Sequence, residues 1–366
     1  PIGGVLATEN AVIPYAVGVD IACRMRLSIF PVSPHVIGQR VGQFENALWN
    51  ETCFGAGGEW SASRRAEHEV LDSPDWDAAK YLRSLKDIAY RQLGTSGSGN
   101  HFVEWGAFVL EKEDEQLGLK AGQYLALLSH SGSRGVGFKI ANHYSKLAQQ
   151  LHPHLDASVK HLAWLPLDWH EGQEYWLAME LAGRFAAANH EVIHKRVAKA
   201  VGLKPVATVE NHHNFAWKVR LPAPAGFSEH EREVIVHRKG ATPAEKGQLG
   251  VIPGSMADPG FVVRGKGVVD AIYSAAHGAG RQMSRKQATN TITKTERDRL
   301  LQERGIILLG AGLDESPQAY KSIEDVMAAQ SDLVEVVGRF EPAMVRMDDD
   351  VKWGRKSKKR KKRKRR

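Results

Sequence analysis

Cysteine is scarce in this sequence: Cys23 and Cys53 are the two thiols among 366 residues. Two thiols are too few for the disulfide framework of a small secreted protein, and a cytosolic chain would keep both reduced. Cys53 has no ligand-like neighbours in Thr52-Cys53-Phe54-Gly55, so we predict a structural role for it. Cys23 is therefore the thiol to consider for chemistry.

Long hydrophobic segments are missing as well. The sequence contains no run of eighteen apolar residues and no charged, apolar leader, so it predicts neither a spanning helix nor secretion. Because 42% of the residues are hydrophobic, we expect a globular protein with a large core. Without a leader or a spanning helix, we also expect it to be cytoplasmic and to have no membrane partner. The chain opens with Pro1 in a strand-like stretch, so we expect an N-terminal segment to be missing before it.

Acidic residues are absent from the C-terminal end. Residues 355–366 contain eleven Lys and Arg and no Asp or Glu, and removing them leaves 39 basic and 42 acidic residues, a net charge of −3 instead of +8. The sequence therefore predicts a mildly acidic domain over residues 1–350 and a basic, disordered tail over 351–366. Such a tail could bind RNA electrostatically or serve as a localisation signal.

A carboxylate and the Cys23 thiol lie three positions apart, after an apolar run. Asp20 and Cys23 could both face one ion, but a site with a soft and a hard ligand needs nitrogen ligands from elsewhere. The candidates are four histidines in glycine-rich or asparagine-rich turns, namely His101, His130, His213 and His277. Functional side chains are commonly presented in such turns. Ligand softness alone favours zinc or iron.

Two loops have the composition of phosphate-binding turns. The first, from Ser129 to Gly135, follows a buried strand and combines glycines and serines with Arg134, a set suited to holding an anion. The second, His237-Arg238-Lys239-Gly240-Ala241-Thr242, places two cations before a small turn. A solvated, charged turn explains the second loop equally well.

His277 lies in His277-Gly278-Ala279-Gly280-Arg281, beside two glycines and four residues from a guanidinium. A neutral imidazole held where backbone and guanidinium groups bind phosphate can attack phosphorus directly.

The motif H-E-x-x-H occurs formally at His190-Glu191-Val192-Ile193-His194. Zinc protease chemistry also needs a third ligand and a cleft, whereas this pair falls within an amphipathic helix. We therefore do not predict a protease.

Hydrophobic periodicity predicts a mixture of strands and helices along the chain. Strands are expected at 25–30, 101–105, 124–128, 205–209, 233–237, 261–263 and 305–309. Helices are expected at 35–49, from Ser73 toward Leu93, and at 139–151, 175–201, 268–276, 295–304 and 320–337.

Taken together, these segments resemble the RtcB-type RNA-splicing ligases over residues 1–347. The resemblance is carried, in the same order as in that family, by Pro1-Ile2-Gly3-Gly4, Gly18-Val19-Asp20-Ile21-Ala22-Cys23, Gly97-Ser98-Gly99-Asn100-His101-Phe102, His130-Ser131-Gly132-Ser133-Arg134-Gly135, His213-Asn214, His237-Arg238-Lys239-Gly240-Ala241-Thr242, Pro253-Gly254-Ser255-Met256 and His277-Gly278-Ala279-Gly280-Arg281.

The resemblance implies an α+β fold, with one large domain of mixed sheets and surrounding helices. It also implies an enzyme that uses GTP and two Mn²⁺ ions to join RNA ends. One end carries a 2′,3′-cyclic phosphate or 3′-phosphate, and the other a 5′-hydroxyl. It also implies RNA as the partner and an archease-type activator as a second one. In this family the cysteine thiolate bridges the two ions.

The resemblance also implies roles for individual residues. Five match the family's metal ligands: Asp20, Cys23, His101, His130 and His213. His277 matches the histidine that takes GMP from GTP. Positions around the guanylate are matched by Asn100, Glu104, Asn214, Ser255, Gly278, Ala279, Gly280 and Arg281, while Arg134 and Lys239 are further phosphate partners. Arg24 replaces the glycine that usually follows the cysteine, and we expect its bulk beside the ions.

Two other functions remain open from the sequence. The same ions could activate water, which would make the protein a phosphodiesterase acting on cyclic phosphate ends without joining them. Alternatively, the chain could be an inactive relative that binds RNA through its basic tail.

Overall fold

A computed structural model of the chain describes residues 3–223 and 230–349. The basic tail predicted at 351–366 lies outside these residues. Of the helices in the described ranges, none combines the length and apolar composition that a membrane crossing needs.

The described residues contain fifteen strands and ten α-helices. The strands are β1 (Gly4–Thr8), β2 (Ala11–Val12), β3 (Arg24–Phe30), β4 (Phe102–Leu110), β5 (Gly122–Ser131), β6 (Leu165–Pro166), β7 (Ala207–His212), β8 (Phe215–Leu221), β9 (Arg232–Lys239), β10 (Ala241–Pro243), β11 (Leu249–Ile252), β12 (Gly260–Gly265), β13 (Ser274–Ala276), β14 (Ile307–Leu308) and β15 (Val334–Met347). The helices are α1 (Pro14–Val17), α2 (Val36–Gln39), α3 (Val41–Glu51), α4 (Lys80–Arg83), α5 (Lys86–Gln92), α6 (Arg134–Leu151), α7 (His170–Ala200), α8 (Arg285–Thr291), α9 (Lys294–Glu303) and α10 (Ile323–Ala328).

The main sheet has eight strands in the order β11-β12-β15-β4-β5-β3-β7, with β14 added beside β15. The interior strand β5 is apolar along Leu125-Ala126-Leu127-Leu128 because both faces of the sheet are covered. Leu125 and Leu127 pack into a core shared with α3 and α7, whereas Ala126 and Leu128 pack into a core shared with β11 and β12. A strand buried on both faces cannot show the alternating pattern of a half-exposed one.

The two ends of the main sheet approach each other and make it nearly a closed barrel. Asn211 in β7 donates from Nδ2 to the carbonyl of Val251 in β11 at 3.3 Å, and its Oδ1 accepts from the Val251 amide at 2.8 Å. The side-chain amide of Asn211 thus takes the place of backbone pairing between β7 and β11. The α+β fold with mixed sheets is confirmed.

Three smaller sheets lie beside the main one. They have the orders β1-β9-β8, β10-β13 and β2-β6. Lys239 and Gly240 connect β9 to β10, and Ala241 at the start of β10 pairs with Ala276 at the end of β13. This register places His277 beside the Lys239-Gly240 turn.

Three predicted helices differ from the structure. Residues 268–276 form a turn and β13, because Ile272 and Tyr273 adopt φ values of 50° and 49°, which no α-helix allows. The helix expected from Ser73 is broken into 3₁₀ turns followed by α4 and α5. The helix expected at 320–337 ends at Ala328, and the β-branched stretch from Val334 begins the strand β15.

Candidate active site

The predicted metal ligands lie at one end of four adjacent strands. In the pairing of β4 with β5, Phe102 lies opposite His130, and in the pairing of β3 with β7, Arg24 lies opposite His212. His101 and Cys23 immediately precede β4 and β3, and His213 immediately follows β7. Strand order therefore brings together residues that are far apart in the sequence.

The side chains meet at close range. The Sγ of Cys23 lies 3.4 Å from Nε2 of His101 and 3.1 Å from Nε2 of His130. Nε2 of His130 lies 3.3 Å from Nε2 of His213, and Nε2 of His101 lies 3.1 Å from Oδ2 of Asp20. The ligand atoms of Cys23, His101 and His130 are close enough to one another to hold a single metal ion.

Backbone carbonyls orient two of the imidazoles. Nδ1 of His101 lies 3.0 Å from the carbonyl oxygen of Ser96, and Nδ1 of His130 lies 3.1 Å from that of Asn100. Because a carbonyl can only accept, each Nδ1 carries the proton and each Nε2 keeps a lone pair directed at the Cys23 sulfur. Facing lone pairs suit a bound cation, and carbonyl partners of this kind are typical of metal-ligating histidines.

The electrostatics of the cluster also suit a cation. Burial and the neighbouring His101 lower the pKa of His130 to about 3, and burial lowers that of His213 well below its usual value. Burial acts to raise the pKa of Asp20, but the adjacent His101 and the charge of Arg134 outweigh this and lower it to about 2. The imidazoles of His130 and His213 are thus neutral and the Asp20 carboxylate is ionised at pH 7, as ligation requires.

Cys23 is the ligand that needs a cation to ionise. Burial, together with the Asp20 carboxylate, raises the pKa of its thiol well above the usual value. A thiol in this environment becomes a thiolate when it coordinates a metal.

The loop after β5 holds the Asp20 carboxylate. Oδ1 of Asp20 accepts from the amide of Ser133 at 3.1 Å, and the Ser133 hydroxyl donates to the carbonyl of Ile21 at 2.6 Å. Gly132 lies so close to Asp20 that a Cβ there would overlap the carboxylate. Arg134 packs against Gly97, with its guanidinium 3.2 Å from Nδ1 of His101.

His277 lies next to this cluster, with its ring centroid 4.7 Å from that of His213. Burial lowers its pKa, and a hydrogen bond to the backbone of Gly240 acts in the opposite direction. The imidazole is therefore neutral at pH 7, with one nitrogen held by Gly240 and the other free to act as a nucleophile.

The residues matched to guanylate positions fall into separate groups. Asn100 adjoins His101, and Glu104 is buried in β4, where burial raises its pKa well above the usual value. The Ser255 hydroxyl donates to Asp258. Ala279 donates its amide to the carbonyl of Pro253 at 3.1 Å, which brings the turn of Gly278 to Gly280 beside the Pro253-Gly254-Ser255 segment.

Two of these residues are occupied by protein contacts. Asn214 donates to the carbonyl of Asp20 at 3.2 Å and accepts from the amide of Gly240 at 2.9 Å, so it connects the metal loop to the His277 turn. Arg281 lies 3.1 Å from Glu315 and donates to the carbonyl of Asp314 at 2.5 Å. Both therefore organise the site through neighbouring residues.

The two cations of the loop at 237–242, Arg238 and Lys239, have different surroundings. Arg238 is buried, donates to the Ser274 hydroxyl at 2.8 Å and lies over the ring of Trp217, so it holds β9 to β13 and faces no phosphate. Lys239 remains at the surface beside Tyr15.

The expectation that Arg24 lies beside the metal ligands is wrong. Side chains alternate along a strand, so Arg24 projects from the opposite face to Cys23. Its guanidinium lies 3.1 Å from Nδ1 of His212 and 4.0 Å from Glu210.

His190 and His194 face the sheet. Ser129 Oγ lies 2.7 Å from Nδ1 of His190 and 2.8 Å from Nε2 of His194. Glu191 points outward toward His68. The H-E-x-x-H match is therefore part of the packing between α7 and the sheet.

Sequence reasoning did not identify the backbone groups of the site. The carbonyls of Ser96, Asn100 and Gly240 and the amide of Ser133 orient its side chains, but every residue type carries these groups. The glycines at 97, 99 and 132 were the nearest available signal.

Fold and site together define a mixed α/β protein with a candidate transition-metal centre next to the imidazole of His277. The model of the family described as tRNA-splicing ligase RtcB matches residues 1–348, and the chain belongs to this family.

Curated relatives match most of the chain. The RNA-splicing ligase RtcB of Escherichia coli K12 is 33% identical over 92% of this chain and 84% of its own length. The tRNA-splicing ligase RtcB of Nanoarchaeum equitans is 31% identical over 94% of this chain and 84% of its own. The RNA-splicing ligase RtcB of Mycobacterium tuberculosis is 30% identical over 93% and 92%, respectively.

Proposed function

We propose that this protein is a GTP-dependent and manganese-dependent RNA ligase that joins 2′,3′-cyclic phosphate or 3′-phosphate ends to 5′-hydroxyl ends through a guanylated His277. Family membership supports RNA ligation. The observation that carries the mechanism is the neutral His277 ring, whose centroid is 4.7 Å from that of the candidate ligand His213.

Asp20, Cys23, His101, His130 and His213 would hold the metal. Their carboxylate, thiol and neutral imidazoles fit a divalent ion, and the lone pairs of His101 and His130 converge on one sulfur. Softness alone favours zinc or iron, so the assignment of two Mn²⁺ ions rests on the family resemblance. When bound, the ions would neutralise phosphate charge and keep Cys23 ionised.

His277 would perform the first chemical step. Its free nitrogen forms a bond to the α-phosphorus of GTP while the bond to the bridging oxygen breaks and pyrophosphate leaves. The proton on the other nitrogen stays on the ring, which donates it in a hydrogen bond to the backbone of Gly240. A neutral ring is needed because a protonated imidazole has no lone pair to donate.

The RNA ends then react in order. A cyclic phosphate is opened by water to a 3′-phosphate, whose oxygen displaces His277 from the guanylate. The 5′-hydroxyl finally attacks the phosphorus of the 3′ end, a 3′,5′-phosphodiester forms, and GMP leaves. Arg134 and Lys239 are the cations that we assign to the phosphates of these species.

The test is guanylation of the protein. With labelled GTP and manganese, we expect an acid-labile guanylate on the wild-type chain and none on His277→Ala. His170→Ala is the matched control, because His170 is an exposed histidine at the start of α7 and should label normally. Absence of label on the wild-type chain, together with hydrolysis of cyclic phosphate ends, would instead establish the phosphodiesterase.

The remaining assignments also follow from the family. We propose a cytoplasmic enzyme that acts on RNA and is assisted by an archease-type activator. Multiple-turnover ligation with and without such an activator would test the second partner.

A further inference from the structure

Tyr15, His161 and Lys239 form a column of stacked groups on the surface. The rings of Tyr15 and His161 are stacked, with centroids 4.9 Å apart and planes inclined by 27°. Nζ of Lys239 lies 3.7 Å from the centroid of the Tyr15 ring. We call these three residues the aromatic column.

Three separate segments build the aromatic column. The pairing of β2 with β6, Val12 opposite Leu165, brings the loop that contains His161 against the start of α1. Lys239 then donates from Nζ to the carbonyl of Tyr15 at 2.9 Å. The position of each ring is thus set by backbone contacts.

One aromatic face of the column points to solvent. A cation at 3.7 Å and a ring at 4.9 Å fit on one phenol only if they occupy opposite faces, so both faces of Tyr15 are covered. His161 is exposed, and its outer face is not covered by Tyr15. The adjacent Lys160 is also exposed and supplies a positive charge.

The column begins at the candidate active site. Lys239 precedes Gly240, whose backbone holds His277 and whose amide donates to Asn214. Lys239, at the base of the column, therefore adjoins the turn that holds His277.

We propose that the outer face of His161 stacks an unpaired base of the RNA, with the Lys160 charge attracting its phosphate. This inference rests on the proposed function. Aromatic faces beside a cation are the usual platform for single-stranded nucleic acid, because every base has a π-face and every nucleotide a charge. Leu162 and Val159 are also exposed nearby, which suits a protein partner, but the cations favour RNA.

The first test measures the affinity for a labelled, single-stranded RNA with a 5′-hydroxyl end, using the full chain with manganese. His161→Ala should weaken binding about tenfold, the loss of one base-stacking contact. His161→Phe should restore it because it restores the π-face. His35→Ala, an exposed histidine of another segment, should bind like the wild type.

The second test identifies the base. Abasic sites are placed one at a time along the same RNA. One position should cost the wild type about tenfold in affinity and cost His161→Ala nothing more, because both changes remove the same contact. If the penalties multiply at every position, or His161→Ala binds as tightly as the wild type, the proposal is overturned and the surface belongs to a protein partner. Guanylation of the wild type needs no RNA, so it tests the ligase function separately.

Discussion

At the scale of single residues, the metal centre depends on the small size of Gly132. Both oxygens of the Asp20 carboxylate are held, one by the Ser133 amide at 3.1 Å and the other beside Nε2 of His101 at 3.1 Å. The backbone of Gly132 passes so close that any Cβ would overlap that carboxylate. The Asp20 carboxylate can therefore lie beside His101 only because residue 132 has no side chain.

Gly132→Ala should therefore displace Asp20 and lower the affinity for Mn²⁺ by about tenfold or more, as changes to groups that support metal ligands commonly do. Titration calorimetry of the metal-free protein with Mn²⁺ measures this effect. Gly122→Ala, at the start of β5, is the control, because the nearest neighbour of its Cβ would be the Tyr124 ring at an ordinary contact distance of 3.6 Å. Equal affinities in Gly132→Ala and the wild type would remove Asp20 from the set of ligands.

The candidate site was predictable from the sequence to the extent that side chains carry it. The Asp20 and Cys23 spacing and the glycine-rich turns around His101 and His130 pointed to residues that do meet. Of the two adjacent histidines, the predicted His213 lies in the cluster, whereas His212 lies against Arg24. That distinction depends on which face of β7 each residue occupies at the strand end.

At the scale of elements, a directed chain of hydrogen bonds connects α7 to β3 and β5. His190 donates from Nε2 to the carbonyl of Ser131 at 3.0 Å, so its Nδ1 accepts from the Ser129 hydroxyl. Ser129 Oγ in turn accepts from Nε2 of His194, whose Nδ1 accepts from Ser28 at 2.8 Å. Each group has one possible role. These hydrogen bonds hold β5, the strand that carries His130, against α7.

Ser129→Ala should lower the free energy of unfolding by at least about 2 kcal/mol, because it leaves one nitrogen on each of two buried imidazoles without a partner. Urea unfolding at pH 7.5 gives the value. Ser63→Ala, at an exposed serine, should change the stability little. A loss no larger than that of Ser63→Ala would show that water or a tautomer change replaces the hydroxyl.

Elements with a clear period were predictable, and those set by tertiary contacts were not. The long apolar helix found as α7 and the buried strand β5 follow from the pattern of their own residues. Residues 268–276 have helical spacing, but Val269, Ile272 and Tyr273 pack against β8 and β9 instead. Pairing of Ala275 with Thr242 then requires an extended chain. No local pattern contains that partner.

At the scale of the whole molecule, the strand order of the main sheet is what brings the predicted metal ligands together. Strands β4, β5, β3 and β7 are adjacent although their order in the sequence is different. Hydrophobic patterning predicts that each strand is buried but does not specify its neighbours. The convergence of Asp20, Cys23 and the histidines therefore followed from the family resemblance and not from spacing.

Deletion of the basic tail distinguishes RNA binding by the tail from the chemistry of the candidate active site. Deleting residues 355–366 changes the formal net charge from +8 to −3. RNA binding should become weaker and less dependent on salt, because each lost phosphate contact takes about 0.7 from the logarithmic salt slope of a single strand. Guanylation should be unchanged, since His277 and all the candidate metal ligands lie before residue 278, far from the deleted segment in the sequence. Fluorescence anisotropy over a salt series and the GTP label measure the two effects. Complete loss of RNA binding, with no guanylate on the intact chain, would leave a relative that binds RNA through its tail alone.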